Sequence, residues 1–165
     1  MTHPTWELSI DHGATLVLTP CPGTKELGLD ESLAQLKEQG VVAIVTAINS
    51  EEMASKNVGE LGEKAKALGL KWFHLPIEDD CAPEADFAQQ WKAVSPELHE
   101  FVKQGDKIAM HCMGGSGRTG LLAANLLLEL DWPLPKIVTE VKALRPGAFS
   151  KPVQVNYVEA LAQNR

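Results

Sequence analysis

With 165 residues, 44 % of them hydrophobic, the chain can build one sizeable core but not two ordinary domains, so residues 1–165 are expected to form a single domain acting as a monomer. Its formal charge of -7 excludes nucleic acid and anionic membrane surfaces as general partners, and any anion must be captured locally. No basic head followed by an apolar run opens the chain, and no stretch approaches the roughly 20 apolar residues that span a bilayer, which leaves a cytoplasmic address as the expectation.

Taken in order, Trp6 to Ile10 and Thr15 to Leu18 flank the turn signal Asp11-His12-Gly13 and predict an opening β-hairpin. Asp30 is placed to cap a helix from Glu31 to about Gln39 that stops at Gly40, and Val41 to Val45 reads as a buried strand ended by Asn49 and Ser50. Glu51 to Leu68 is helical in composition with a break near Gly59, and Lys71 to Leu75 is a short strand. After a loop rich in acid and proline, Pro83-Glu84 begins a predicted long helix to Lys103 with a possible interruption at Pro96, and Lys107 to Cys112 reads as a central strand. Apolar helices follow over Arg118 to Leu130, Pro135 to Leu144 and Pro152 to Gln163. Alternating strands and helices imply an α/β fold: a central, mainly parallel sheet with helices on both faces and the N-terminal hairpin at one edge. Sites in such sheets lie beyond the carboxyl ends of strands.

At one such end stands His111-Cys112-Met113-Gly114-Gly115-Ser116-Gly117-Arg118-Thr119-Gly120. Between Cys112 and Arg118 lie five residues, three of them Gly, and such a loop can curl until its N–H groups converge on one point at the positive end of a helix. The nest formed by Met113, Gly114, Gly115, Ser116 and Gly117 suits a phosphate, and Arg118 can close it with two parallel hydrogen bonds that Lys cannot reproduce. The same donors favour the thiolate of Cys112, the expected nucleophile. The Thr119 hydroxyl can donate to its sulfur and ease its departure when a phosphocysteine is hydrolysed, and His111 is expected to orient the loop. The leaving oxygen needs a proton, for which Glu78, Asp79 and Asp80 are the carboxyl candidates. Cys21, Cys81 and Cys112 are odd in number and widely spaced, so reduced thiols are expected. Cys21 and Cys81 are read as small packing residues, with a protective Cys81–Cys112 disulfide as the lesser alternative. The five histidines form no ligand spacing, and the chemistry requires neither metal nor other cofactor.

HCMGGSGRTG resembles the signature loop of the protein tyrosine phosphatase superfamily, and the chain length suits its compact dual-specificity branch. Leu18 to Gly23, Pro76 to Asp79, His111 to Arg118 and Gln154 to Tyr157 resemble, in that order, the cyclin-dependent-kinase-associated phosphatases within that branch. The resemblance implies hydrolysis of phosphotyrosine, and of phosphoserine or phosphothreonine, in proteins, or of a small phosphate monoester. It selects Asp79 as general acid, with Asp80 in reserve where a small residue is usual. It implies a Gln that positions the attacking water; Ser150 stands in the first such place, and Gln154 matches the second and can take over. Uncharged Met113 and Ser116 argue against an inositol-lipid headgroup.

Gly115 to Gly120 also fits GxGxxG, but this turn is late in the chain and Glu140 falls in a helical pattern rather than at a strand end, so a dinucleotide site is rejected. A rhodanese-type sulfurtransferase has less need of Arg118, Thr119 and a separate acid. A module that only binds phosphoresidues could dispense with Cys112 or Asp79, and both are present.

Overall fold

The computed structural model describes residues 2–165. Five strands, β1 Trp6–Ser9, β2 Thr15–Thr19, β3 Val41–Thr46, β4 Lys71–His74 and β5 Lys107–His111, form one sheet in the order β1-β2-β5-β3-β4. Only β1 pairs antiparallel; the other three pairings are parallel. The helices are α1 Leu29–Glu38, α2 Ser50–Ser55, α3 Leu61–Ala67, α4 Ala85–Lys103, α5 Gly117–Glu129, α6 Leu134–Leu144 and α7 Pro152–Gln163.

Side chains alternate across a strand, and the two layers follow from that period. Val17, Ile44 and Ala109 face α1 and α3, where Leu33, Leu36 and Ala65 cover them. Leu16, Leu18, Val45, Ile108 and Met110 point the other way, into the larger core closed by α4, α5 and α6. The expected sheet, with helices on both faces and the hairpin at its edge, is the one found.

Three local expectations are corrected. Gly28, not Asp30, is the N-cap of α1; Asp30 lies inside the first turn, where its carboxylate meets Lys64 of α3 at 2.8 Å. Pro96 does not interrupt α4. Phe87, Trp91, Leu98 and Val102 fall at spacings of four or seven and are all buried, and this packing outweighs the roughly 3 kcal/mol that an interior proline costs. Asn49 does more than end a strand: its side chain accepts from the Glu52 N–H while Glu52 reaches back to the Asn49 N–H, a capping box that starts α2.

Candidate active site

Strand β5 ends at His111, with Thr19 of β2 and Thr46 of β3 in register on either side. The loop from Cys112 to Ser116 turns directly into α5, which is buried from Arg118 through Leu128 and so cannot shift without opening the core. The sequence therefore sets a loop between two immobile elements. Cys112, 4 % exposed, has its sulfur inside that loop. Its Sγ accepts hydrogen bonds from the Gly115 N–H at 3.3 Å and the Thr119 hydroxyl at 3.2 Å.

Gly115 makes this curl possible. Its φ is +86°, and a Cβ there would stand 2.7 Å from the backbone of Thr19 and Pro20, where nothing flexible can give way. Gly114 has open space around the same position and no left-handed φ. Gly115→Ala is therefore expected to lower kcat/KM at least about 100-fold, the scale of a 1 Å misplacement, while Gly114→Ala stays within about threefold of wild type. Steady-state rates on an aryl phosphate, with circular dichroism to confirm folding, check the pair.

His111 lies outside the pocket, fully buried behind the loop, and burial holds its imidazole down at about 4, so it is neutral at pH 7. Its neighbours fix the tautomer. The Cys112 carbonyl, 2.9 Å from Nδ1, can only accept, so Nδ1 carries the proton. Nε2 then accepts from the Thr46 hydroxyl at 2.7 Å, and that oxygen accepts from the Trp72 indole N–H at 2.8 Å. A chain of three hydrogen bonds thus runs from β4 through β3 to the carbonyl of Cys112. His111 thus meets the loop at the Cys112 carbonyl, and the upstream members Thr46 and Trp72 were not legible in sequence.

Arg118 is 2 % exposed and meets a partner that the motif did not reveal. Its Nη1 and Nη2 donate to the two oxygens of Glu52 at 2.8 and 3.0 Å, and Nη1 also donates to the Ile77 carbonyl at 3.0 Å. Burial alone would raise the Glu52 carboxyl, but the Arg118 fork and the Asn49 N–H outweigh it and leave it lowered. Burial likewise opposes the charge on Arg118, and Glu52 more than restores it. The capping-box spacing of Asn49 and Glu52 was a readable signal for a helix start; nothing in the sequence pointed its carboxylate at Arg118.

Around Cys112 and Arg118 is a pocket of about 220 Å³, lined also by Asp79, Asp80, Met113, Gly114, Ser116, Gly117, Ser150, Lys151 and Gln154. Asp79 Oδ1 is 3.6 Å from Arg118 Nη2, whereas Asp80, at φ +58°, turns to Lys151 at 3.9 Å. The left-handed backbone at Asp80 gives a physical reason for a small residue at that place. Gln154 is 2 % exposed, and its Oε1 has no hydrogen-bond partner among the described residues. Thr119 and Gly115 lie behind the pocket wall. Cys21 is wholly buried beside the loop, its N–H donating to the Met113 carbonyl at 3.0 Å, and burial pushes its thiol up to about 12. Cys81 is exposed rather than packed and does not line the pocket, so the packing reading fails there. All three cysteines are free thiols.

The family model described as "Polymorphic toxin system, DSP-PTPase phosphatase" matches residues 22–130. The cyclin-dependent kinase inhibitor 3 of Rattus norvegicus is 28 % identical over 150 residues, covering 87 % of this chain and 69 % of that protein. The tyrosine-protein phosphatase CDC14 of Saccharomyces cerevisiae is 28 % identical over 88 residues, covering 53 % of this chain and 15 % of that longer one. Among solved structures, a kinase associated phosphatase with its catalytic-site cysteine changed to serine superposes with a TM-score of 0.87 at 25 % identity, covering 99 % of this chain and 96 % of the other.

Proposed function

Because the chain belongs to the DSP-PTPase phosphatase family, and is thereby a cysteine-dependent protein phosphatase, we propose that Cys112 attacks phosphorus and that hydrolysis proceeds through a phosphocysteine. One observation carries this reading: the Cys112 sulfur accepts two hydrogen bonds inside a loop whose rim is completed by Arg118. A sulfur so placed faces the phosphate that the loop amides and the α5 N-terminus attract.

The guanidinium has five N–H groups. Glu52 and Ile77 use both on Nη1 and one on Nη2, which leaves Nε–H and the second Nη2–H side by side. That edge can grip two phosphoryl oxygens while Glu52 holds the opposite edge still. As the phosphorus–oxygen bond of the ester breaks, Asp79 donates its proton to the leaving oxygen, and the phosphoryl group is transferred to Cys112. In the second step Asp79, now a carboxylate, takes a proton from water whose oxygen attacks the phosphocysteine, and the thiolate leaves towards the Thr119 hydroxyl. Gln154, buried at the pocket with a free acceptor, orients that water. Main-chain N–H groups of Met113, Gly114, Gly115, Ser116 and Gly117 supply the nest, and His111 fixes its first carbonyl.

Substrates on this reading are phosphorylated proteins, with phosphotyrosine and phosphoserine or phosphothreonine both admitted, or small phosphate monoesters. We further read residues 1–165 as one domain acting as a monomer in the cytoplasm, away from nucleic acid and membranes; the net charge of -7 supports this. Among the described residues no helix is long and apolar enough to cross a membrane.

Hydrolysis of a chromogenic aryl phosphate in the presence of a chelator tests the reaction, and absence of turnover contradicts it. The acid is tested separately. Asp79→Asn is expected to lower kcat about 100-fold at pH 5.5 to 7 with KM little changed, within the range for general acids. Asp80→Asn should stay within about threefold of wild type, and the reverse pattern reassigns the acid.

A further inference from the structure

Two contacts from the first residues of the chain converge on the back of the phosphate loop. His3, 1 % exposed, sits behind the end of β2. Its backbone is tied twice to Gln35 of α1, with the His3 N–H donating to Oε1 at 2.8 Å and Nε2 of Gln35 donating to the His3 carbonyl at 2.9 Å. Its ring Nε2 lies 2.7 Å from the Thr19 hydroxyl and 3.1 Å from the Pro20 carbonyl. The carbonyl can only accept, so Nε2 is the donor, and the Thr19 hydroxyl is free to donate to the Pro4 carbonyl at 2.9 Å. These bonds hold the Thr19 side chain and the Pro20 carbonyl on either side of the Thr19–Pro20 peptide, the surface on which Gly115 rests with no room for a Cβ.

The second contact runs through Trp6. The Arg145 guanidinium stacks over its ring at 3.9 Å, and from that position Nε donates to the Gly115 carbonyl at 3.1 Å and Nη2 to the Gly114 carbonyl at 2.8 Å. In a trans peptide the C=O and the next N–H point in opposite directions. Holding the carbonyls of Gly114 and Gly115 outward therefore turns the N–H groups of Gly115 and Ser116 inward, and the Gly115 N–H is the one found on the Cys112 sulfur. Trp6 is the residue of β1 paired with Leu18, so the hairpin sets where the guanidinium can lie.

We propose that Trp6 is a positioning element of the phosphatase site: it seats Arg145, which aims the loop amides against the wall behind Gly115 where His3 is bonded. The hairpin is then part of the catalytic apparatus and not only an added edge of the sheet. This rests on the reading of the loop as a phosphate nest, and the test separates the two. Wild type, Trp6→Ala, Trp6→Phe, Arg145→Lys and the double variant Trp6→Ala/Arg145→Lys are compared by kcat and KM on an aryl phosphate and by inhibition with vanadate, a probe of the nest that involves no turnover. Trp6→Ala is expected to lower kcat about 10- to 100-fold and to weaken vanadate inhibition about tenfold, with Trp6→Phe within about threefold of wild type. The double variant should be little worse than either single one, because Trp6 and Arg145 act as a unit.

A lowered melting temperature with kcat and vanadate inhibition unchanged in the folded protein overturns the inference, as do losses that simply add in the double variant. Where Trp6→Ala does not fold, Arg145→Lys, which keeps the charge and loses the fork, decides alone by the same two readouts. A wild type that hydrolyses nothing and ignores vanadate contradicts the nest itself. An active wild type with unaffected variants contradicts only the brace.

Discussion

Cys112→Ser is expected to keep its fold and its affinity for phosphorylated peptide while losing turnover about 10⁴-fold or more, the scale on which an enzyme loses its nucleophile. The substitution exchanges a polarizable, strongly nucleophilic sulfur for a far less nucleophilic alcohol oxygen. The Gly115 N–H and Thr119 hydroxyl that point at Sγ would meet a smaller oxygen, but nothing around them has to move, because Cys112 is set by β5 on one side and by a fully packed α5 on the other. The loop amides and Arg118, on which binding is proposed to depend, are all retained. Initial rates on an aryl phosphate and calorimetric titration with a phosphopeptide separate the two effects. Residual turnover above a few per cent of wild type places the nucleophile elsewhere.

Arg118→Lys is expected to lower kcat/KM about 1,000-fold, the upper end of what losing one preorganised donor costs in an oxyanion site. One edge of Arg118 is held by Glu52 and Ile77, and the other is the edge proposed to grip phosphate. Lys supplies a single ammonium that cannot span both, and it leaves the lowered carboxyl of Glu52 with one donor in place of a fork. Glu52→Gln tests the holding half alone. The amide preserves shape and one acceptor but not the ion pair, so kcat should fall about tenfold with KM nearly unchanged, and the melting temperature should drop by a few degrees. Equal, small losses for Arg118→Lys and Glu52→Gln would mean that Arg118 only supports the loop.

What the sequence disclosed follows from how far apart cooperating residues lie along it. Cys112, the glycine loop, Arg118 and Thr119 are contiguous, so their spacing alone outlined the loop proposed as a nest, and the apolar runs Val41 to Val45 and Lys107 to Cys112 marked the strands that present it. Asp79 came into view only beside a resembling pattern, since an acidic turn by itself has an ordinary surface explanation. Glu52 and Thr46 stand 66 and 65 residues before the side chains they hold, Arg118 and His111, and only the parallel pairing of β3 with β5 brings them there. Trp6 and Arg145 are separated further still. Helix boundaries erred where tertiary partners decided the outcome: Asp30 had a lysine on α3 to meet and did not need to cap, and the buried face of α4 carried it through Pro96. Cys81 misled because free cysteine is so often buried, and this one lies in an exposed turn.

Rapid acid quench of a single turnover, followed by peptide mass mapping, tests the central claim most directly. Covalent catalysis by Cys112 predicts one phosphoryl group on the peptide containing that residue, rising and then decaying as inorganic phosphate appears, and none in Cys112→Ser. Complete turnover with the Cys112 peptide unmodified throughout, or a phosphoryl group carried by any other residue, would contradict it.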